Sequence, residues 1–235
     1  MSSHIARHLD EVRQHIAKAA AEASRDPSSV ALLAVSKTFP ASDVRAAFNA
    51  GQRAFGENYV QESVAKIAEL DDVRSEIQWH FIGPLQSNKT KLVAENFDWV
   101  HSVDRLKIAE RLSAQRPDGM PALNVCLQVN VSGEESKSGV APEEASTVAH
   151  AIATLPGLKL RGLMSIPEPA ASLDEQRAPH KRLRELMDTL RADGLELDTL
   201  SMGMSADIEA AILEGATMVR IGTAIFGARD YSKQS

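Results

Sequence analysis

The sequence has one cysteine in 235 residues, Cys126, so an intramolecular disulfide and a multi-cysteine metal site are both excluded. That usage fits a reducing compartment. The surrounding NVCLQV reads as strand, where a small buried core residue is the expected role. An excess of positive charge is also missing: 26 Lys and Arg stand against 32 Asp and Glu, a net −6. No overall field attracts a nucleic-acid backbone, although a local basic pocket is compatible with it. No apolar run approaches the ~20 residues of a membrane span. The amino terminus, SSHIARHLDEVRQHIAKAAAEA, mixes charges of both signs and lacks the apolar stretch of a secretory signal. The expectation is a cytoplasmic protein with neither a nucleic-acid nor a membrane partner. Low-complexity hinges are absent as well.

The amino-terminal segment places Ile5, Leu9, Val12 and Ile16 at helical spacing, an amphipathic helix with one apolar stripe. His4 and His8 share a face of it, but with no third ligand nearby a solvated face is expected. Beyond it a unit repeats: a short run rich in Val, Ile and Leu, a turn, then a stretch of helical period. The runs are VALLAVSK (30–37), QRAFGE (52–57), IQWHFIG (77–83), DWVHSV (98–103), LNVCLQVN (123–130), LKLRGLMSI (158–166), DTLSMGM (198–204) and TMVRIGTAIFG (217–227). Eight strands alternating with helices is the count of a (β/α)8 barrel. A doubly wound α/β sheet shares the alternation, but no GxGxxG turn follows the first run, and the spacing is uniform with no linker. The predicted architecture is therefore a single TIM-type α/β barrel domain over 1–235, with the extra amino-terminal helix packed outside or beneath it.

In such folds the carboxyl ends of the strands carry the site. Lys37 stands at that end of the first run, in LLAVSKTFP, whereas Lys159 opens the sixth at the opposite mouth. Lys18, Lys66, Lys107 and Lys181 fall on helices, where a solvated surface is expected. Desolvation beside a buried strand disfavours the ammonium form, making Lys37 a competent amine nucleophile toward an aldehyde; a lysine that snorkels from the rim or pairs with a carboxylate is the alternative. After the seventh and eighth runs, Ser201, Gly203, Ser205 and Gly222 offer hydroxyls and close backbone approach of the kind that cradles phosphate. Helix capping by Ser205 is the competing role. Arg220, on the same strand face as Met218 and Gly222, needs an acceptor inside the barrel. Either a structural carboxylate or a ring nitrogen of a cofactor answers that need. A reactive lysine, an interior arginine and a phosphate cradle are together what pyridoxal phosphate requires.

LLAVSKTFP, FGENYVQE, WHFIGPLQSNK, GLMSI, LSMGMSADIEAAI and VRIGTAIFG, in this order over nearly the whole chain, resemble the pyridoxal phosphate homeostasis protein family. Its fold is a barrel of the alanine racemase type without that enzyme's second domain. The resemblance implies that Lys37 forms the Schiff base with pyridoxal 5'-phosphate, that Ser201 binds its phosphate, and that Arg220 faces its pyridine nitrogen. Gly222 and Thr223 would complete the phosphate site. Asn58, His80, Met164 and Ser165 would line it, with core packing the alternative for Met164. An arginine beside the ring nitrogen keeps it unprotonated and weakens the ring as an electron sink.

Two functions follow. A carrier would hold the cofactor as a lysine aldimine and supply it to apo forms of pyridoxal-phosphate enzymes, acting as a monomer. An amino-acid racemase would need a second base opposite Lys37. The only tyrosines, Tyr59 and Tyr231, do not match the position of the racemases' tyrosine, so the carrier is preferred. A cofactor-free Schiff-base aldolase leaves Arg220 and the cradle unexplained. The polar stretch NVSGEESKSGV (130–140), with Lys137, is read as a solvated loop, with closure over phosphate or contact with a recipient enzyme as alternatives. Lys89 and Lys91 are placed on a charged helix face.

Overall fold

The computed structural model describes residues 2–133 and 138–228. Lys137 and Tyr231, singled out above, lie outside them. The chain opens with helix α1 (Ser2–Glu22) and enters a repeating unit: β1 (Ala31–Val35), α2 (Ala41–Asn49), β2 (Ala54–Glu57), α3 (Val60–Glu69), β3 (Gln78–Phe81), α4 (Thr90–Asn96), β4 (Trp99–Val103) and α5 (Leu106–Gln115). It continues through β5 (Leu123–Gln128), α6 (Ala145–Ala153), β6 (Leu158–Met164), α7 (Leu173–Ala192), β7 (Thr199–Ser201), α8 (Ile208–Leu213), β8 (Met218–Ile221) and α9 (Thr223–Phe226). The eight strands pair in chain order and β8 returns to β1, all parallel, closing the barrel.

The apolar runs become strands because both of their faces are covered. Phe55, Trp79, Phe81, Val100, Leu127, Leu163 and Val219 point outward into the layer beneath the helices, where the main core lies. Inward-facing side chains form two smaller clusters, Leu33, Val35, Ile82 and Met218 on one side and Trp99, Cys126 and Met164 on the other. Cys126 is thus the buried core residue expected. The strands end earlier than the apolar runs. TMVRIGTAIFG is strand only to Ile221, and Gly222 (φ −121°, ψ −69°) turns the chain into α9.

Helix α1 buries Ile5, Leu9, Val12 and Ile16, each worth about 1.5–3 kcal/mol. It lies outside the wall against α2, α8 and α9. His8 Nδ1 donates to the Ile225 carbonyl oxygen at 3.1 Å, tying α1 to the segment after β8. No group of three metal-ligating side chains forms among the described residues, and no helix among them is long and apolar enough to cross a membrane.

One helical lysine departs from expectation. Lys66 is 4% exposed and not solvated. The spacing Ser63, Lys66, Ile67 sets it on the inner face of α3. Its Nζ reaches Glu57 Oε1 at 2.7 Å, Glu62 Oε1 at 3.2 Å and the Ser36 carbonyl oxygen at 2.9 Å. Ser36 Oγ donates to Glu57 at 2.5 Å, and the Thr38 N–H donates to Glu62 at 2.7 Å. Burial raises the Glu57 pKa, against the opposing pull of Lys66 and Ser36. Both neighbours of Lys37 are therefore fastened to one buried ionic cluster, which also holds Thr38 at φ +68°. Lys66→Met leaves a fully buried carboxylate without its partner, and urea denaturation should show a loss of about 3–5 kcal/mol, most of it recovered in Lys66→Met/Glu57→Leu. Equal stability of wild type and Lys66→Met would contradict the clamp.

Candidate functional site

Lys37 lies two residues past the end of β1, half-buried on a turn closed by the Phe39 N–H donating to the Ser36 carbonyl oxygen. Below it the inward side chains of β1, Leu33 and Val35, pack with Ile82 and Met218. Asn58 follows β2 directly. A side chain at Gly83 would put its Cβ 2.4 Å from the Asn58 carbonyl oxygen, so glycine there lets the segment after β3 press against Asn58.

Inside the barrel the polar groups form a continuous chain. Arg220 is 4% exposed. Its Nη1 donates to Ser201 Oγ at 2.8 Å and its Nη2 to the Ser165 carbonyl oxygen at 2.8 Å. His101 Nδ1 lies 2.7 Å from Ser201 Oγ, and His101 Nε2 lies 2.8 Å from His80 Nδ1. The His80 ring stacks on Trp99, centroids 5.1 Å apart at 11°. Burial pulls the His80 pKa down to about 3. Burial, and then the charges of His80 and Arg220, hold His101 well below the ordinary imidazole value. Burial likewise lowers Arg220 to about 10, with Asp207 acting the other way. The interior thus holds one cation and two neutral imidazoles at physiological pH.

The segments after β7 and β8 stand beside this chain. Gly203 takes φ +97°, and a Cβ there would fall 2.5 Å from Ala211 Cβ, so the turn packs close on α8. The Met204 N–H donates to Asp207 Oδ1 at 2.8 Å, and His180 Nε2 lies 2.8 Å from Asp207 Oδ2. Burial opposes ionisation of Asp207, but these hydrogen bonds hold its carboxyl below the usual carboxylate range. Ser205 is exposed on this turn and does not cap α8, whose N-cap is Asp207. At the end of β8, a Cβ on Gly222 would meet the Val35 carbonyl oxygen at 2.9 Å, so only glycine brings this backbone against β1. Thr223 follows, exposed.

Several buried polar atoms at this mouth have no hydrogen-bond partner: Thr38 Oγ1, Asn58 Oδ1, His80 Nε2, Ser102 Oγ and Ser165 Oγ. They belong to, or follow within three residues, β1, β2, β3, β4 and β6. Buried polar atoms normally find partners, and a cluster of orphans around one opening is the mark of a polar ligand's place. An aromatic ring bearing an acceptor nitrogen, an aldehyde and a phosphate matches the groups present: a donor-only guanidinium below, an amine at the rim, and close-approach glycines with hydroxyls on the β7–β8 side. Beside it a cleft of about 200 Å³ opens between Ile82, Pro84, Ser102, Asp104, Gln128 and Ile166.

The structure brings Lys37, Asn58, His80, Ser165, Ser201, Arg220, Gly222 and Thr223 to one end of the barrel. Met164, the last residue of β6, is fully buried in a cluster with Trp99 and Cys126. Ser201, expected at the phosphate, has its hydroxyl bonded to Arg220 and His101 in the interior. His101 escaped the reading of the sequence. Its signal was the one that singled out Arg220, a polar residue in an apolar parallel strand, sharing an inward face with Trp99.

The family profile for the alanine racemase N-terminal domain matches residues 7–230. A pyridoxal phosphate homeostasis protein of Pseudomonas aeruginosa is 63% identical over 229 residues, 97% of each chain. One of Escherichia coli is 54% identical over 231 residues, 98% of this chain and 99% of that one. Among solved structures, PipY of Synechococcus elongatus with pyridoxal phosphate bound is 40% identical, with a TM-score of 0.84 over 95% of this chain and 100% of that one. This chain belongs to the pyridoxal phosphate homeostasis protein family, built on the barrel of the alanine racemase N-terminal domain.

Proposed function

We propose that this protein binds pyridoxal 5'-phosphate at the carboxyl end of its barrel and serves as a cytoplasmic reservoir that supplies the cofactor to apo-enzymes, working as a monomeric single domain over 1–235. One observation carries the reading: a guanidinium buried in the lumen on neutral acceptors, Arg220, lies beneath a ring of unpartnered polar atoms at the mouth where Lys37 stands. Support comes from PipY, a relative of near-equal length solved with pyridoxal phosphate bound. The cofactor supplies an aldehyde that condenses reversibly with an amine, losing water.

Each residue then has a task. Lys37 is the amine, held at the rim by the flanking contacts of Ser36 and Thr38. Arg220 donates to the ring nitrogen and keeps it unprotonated. Gly203, Ser205, Gly222 and Thr223 receive the phosphate with backbone N–H groups and hydroxyls, while Ser201 acts on Arg220. Asn58, His80 and Ser165 line the ring. Racemisation is the second reading, and it requires a base on each side of a substrate carbon. Tyr59 stands 52% exposed at the head of α3.

The purified protein is expected to be yellow, and borohydride should fix the chromophore covalently on Lys37, located by peptide mass. A protein that takes up no added pyridoxal phosphate would refute this. Incubation with L-alanine and other common amino acids in heavy water should leave optical rotation and Cα hydrogen content unchanged. Turnover abolished by Lys37→Ala would replace the carrier with an enzyme. Loaded protein mixed with an apo-aminotransferase should activate it at least as fast as an equal amount of free cofactor; activation only at the rate of spontaneous release into solution would remove supply from the function.

A further inference from the structure

A guanidinium only donates hydrogen bonds. Ser201 Oγ must therefore accept from Arg220 Nη1 at 2.8 Å and send its own hydrogen elsewhere. His101 Nδ1, at 2.7 Å, takes it. A neutral imidazole that accepts at Nδ1 carries its proton on Nε2, and His101 Nε2 faces His80 Nδ1 at 2.8 Å. His80 accepts in turn and keeps its proton on Nε2, a buried atom without a partner. The reverse order would have His101 donate to Ser201 and leave the serine hydrogen without this acceptor, while the order chosen leaves its one unmet hydrogen on His80 Nε2, among the unpartnered atoms assigned to the ligand's place. In that order the chain runs from Arg220 through Ser201 and His101 to His80, along which each donor strengthens the next bond. All four side chains are buried, and they come from β8, β7, β4 and β3. With the pKa of His80 at about 3 and that of His101 also depressed, neither imidazole takes up a charge that would repel the guanidinium at neutral pH.

A hydroxyl rotates freely when nothing takes its hydrogen. A serine alone would leave Arg220 one adjustable acceptor and several orientations. The imidazole removes that freedom. Two of the five guanidinium N–H groups are spent on Ser201 and Ser165, which sets the direction of the remainder.

We propose that His101, backed by His80, is a positioning residue for Arg220: through Ser201 it aims the free guanidinium N–H groups at the ring of the bound ligand, so that the protein selects a ring carrying an acceptor nitrogen over a carbocyclic ring of the same shape. This rests on the reading of the site as one for pyridoxal phosphate and adds the means by which the ring atom is recognised.

The test compares the equilibrium affinities of pyridoxal phosphate and its 1-deaza analogue, in which a carbon replaces the ring nitrogen, measured by absorbance titration. Wild type should favour pyridoxal phosphate by about tenfold or more, the scale of one charge-assisted hydrogen bond. In His101→Leu the preference should fall to about threefold or less, with affinity for the deaza analogue nearly unchanged. His101→Asn, which keeps a polar group near the Nδ1 position, should recover part of it. Ser201→Ala cuts the same link while retaining both imidazoles, and it should lose the preference even if His101→Leu does not fold. Equal weakening of both ligands in these variants would mean a merely structural role and overturn the proposal. So would an unchanged preference, or no preference in wild type. Failure of the cofactor reading looks different: wild type would bind neither ligand, and borohydride would fix nothing on Lys37.

Discussion

Placing a positive charge inside a barrel of apolar strands is the constraint on which the site depends. Moving a guanidinium out of water costs several kcal/mol unless hydrogen bonds replace the solvent, and here, among the described residues, the replacements are a hydroxyl and a carbonyl oxygen. Those acceptors come from β7 and from the residue after β6, and their own partner from β4. Arg220 is thus satisfied only when several strands hold their register at once. Pleat alternation makes this strict, since a slip of one residue would turn Ser201 or His101 to the helix side and leave the charge unmet.

A second charged group sits on the other side of the barrel wall. Glu57 faces outward where Gly56 faces in, so the Glu57–Lys66 pair lies under α3 while Arg220 lies in the lumen. β1 is bonded to both β2 and β8, and the turn carrying Lys37 follows directly from it. One edge of that turn is clamped by the outer cluster. The other neighbours the β8 end, where Gly222 closes on the Val35 carbonyl oxygen. Buried ion pairs are poor sources of net stability. Their value here is geometric, because the backbone on both sides of Lys37 is bound to one ionic cluster, through buried Lys66 at Ser36 and through Glu62 at Thr38.

The architecture was legible because each apolar run is buried on both faces, which leaves a continuous signature of Val, Ile and Leu between helical stretches. Strand ends were less so. In DTLSMGM and TMVRIGTAIFG the apolar character persists into turns that pack on α1 and α8, so hydrophobicity outlasts the ladder. Lys37 and Arg220 were visible as charges in apolar strands, and His101 carried the same signal less loudly, histidine being an ordinary core residue. Lys66 was misplaced because its helix position was judged by residue type without its inward spacing. The role of Ser201 could not be read locally at all: its partners are 100 and 19 residues away in sequence, and a serine in a Gly-rich stretch suits a phosphate as well as it suits an arginine.

Under the proposed function, the lumen and the rim divide the work of holding a ligand that must also leave. A carboxylate partner for the ring nitrogen would stabilise its protonated form and draw electrons from the aldehyde carbon, favouring chemistry on any amine that condensed there. A guanidinium kept in place by neutral groups gives recognition without that activation. In the proposed reading the strength of the hold rests on hydrogen bonds of ordinary size together with one reversible condensation at Lys37. Contacts of about 1–3 kcal/mol each can be broken one at a time, and water or an incoming amine at the open cleft beside the ring can replace them. In the proposed reading, the neutral imidazole pair orients the guanidinium in the lumen and adds no acid to the ring.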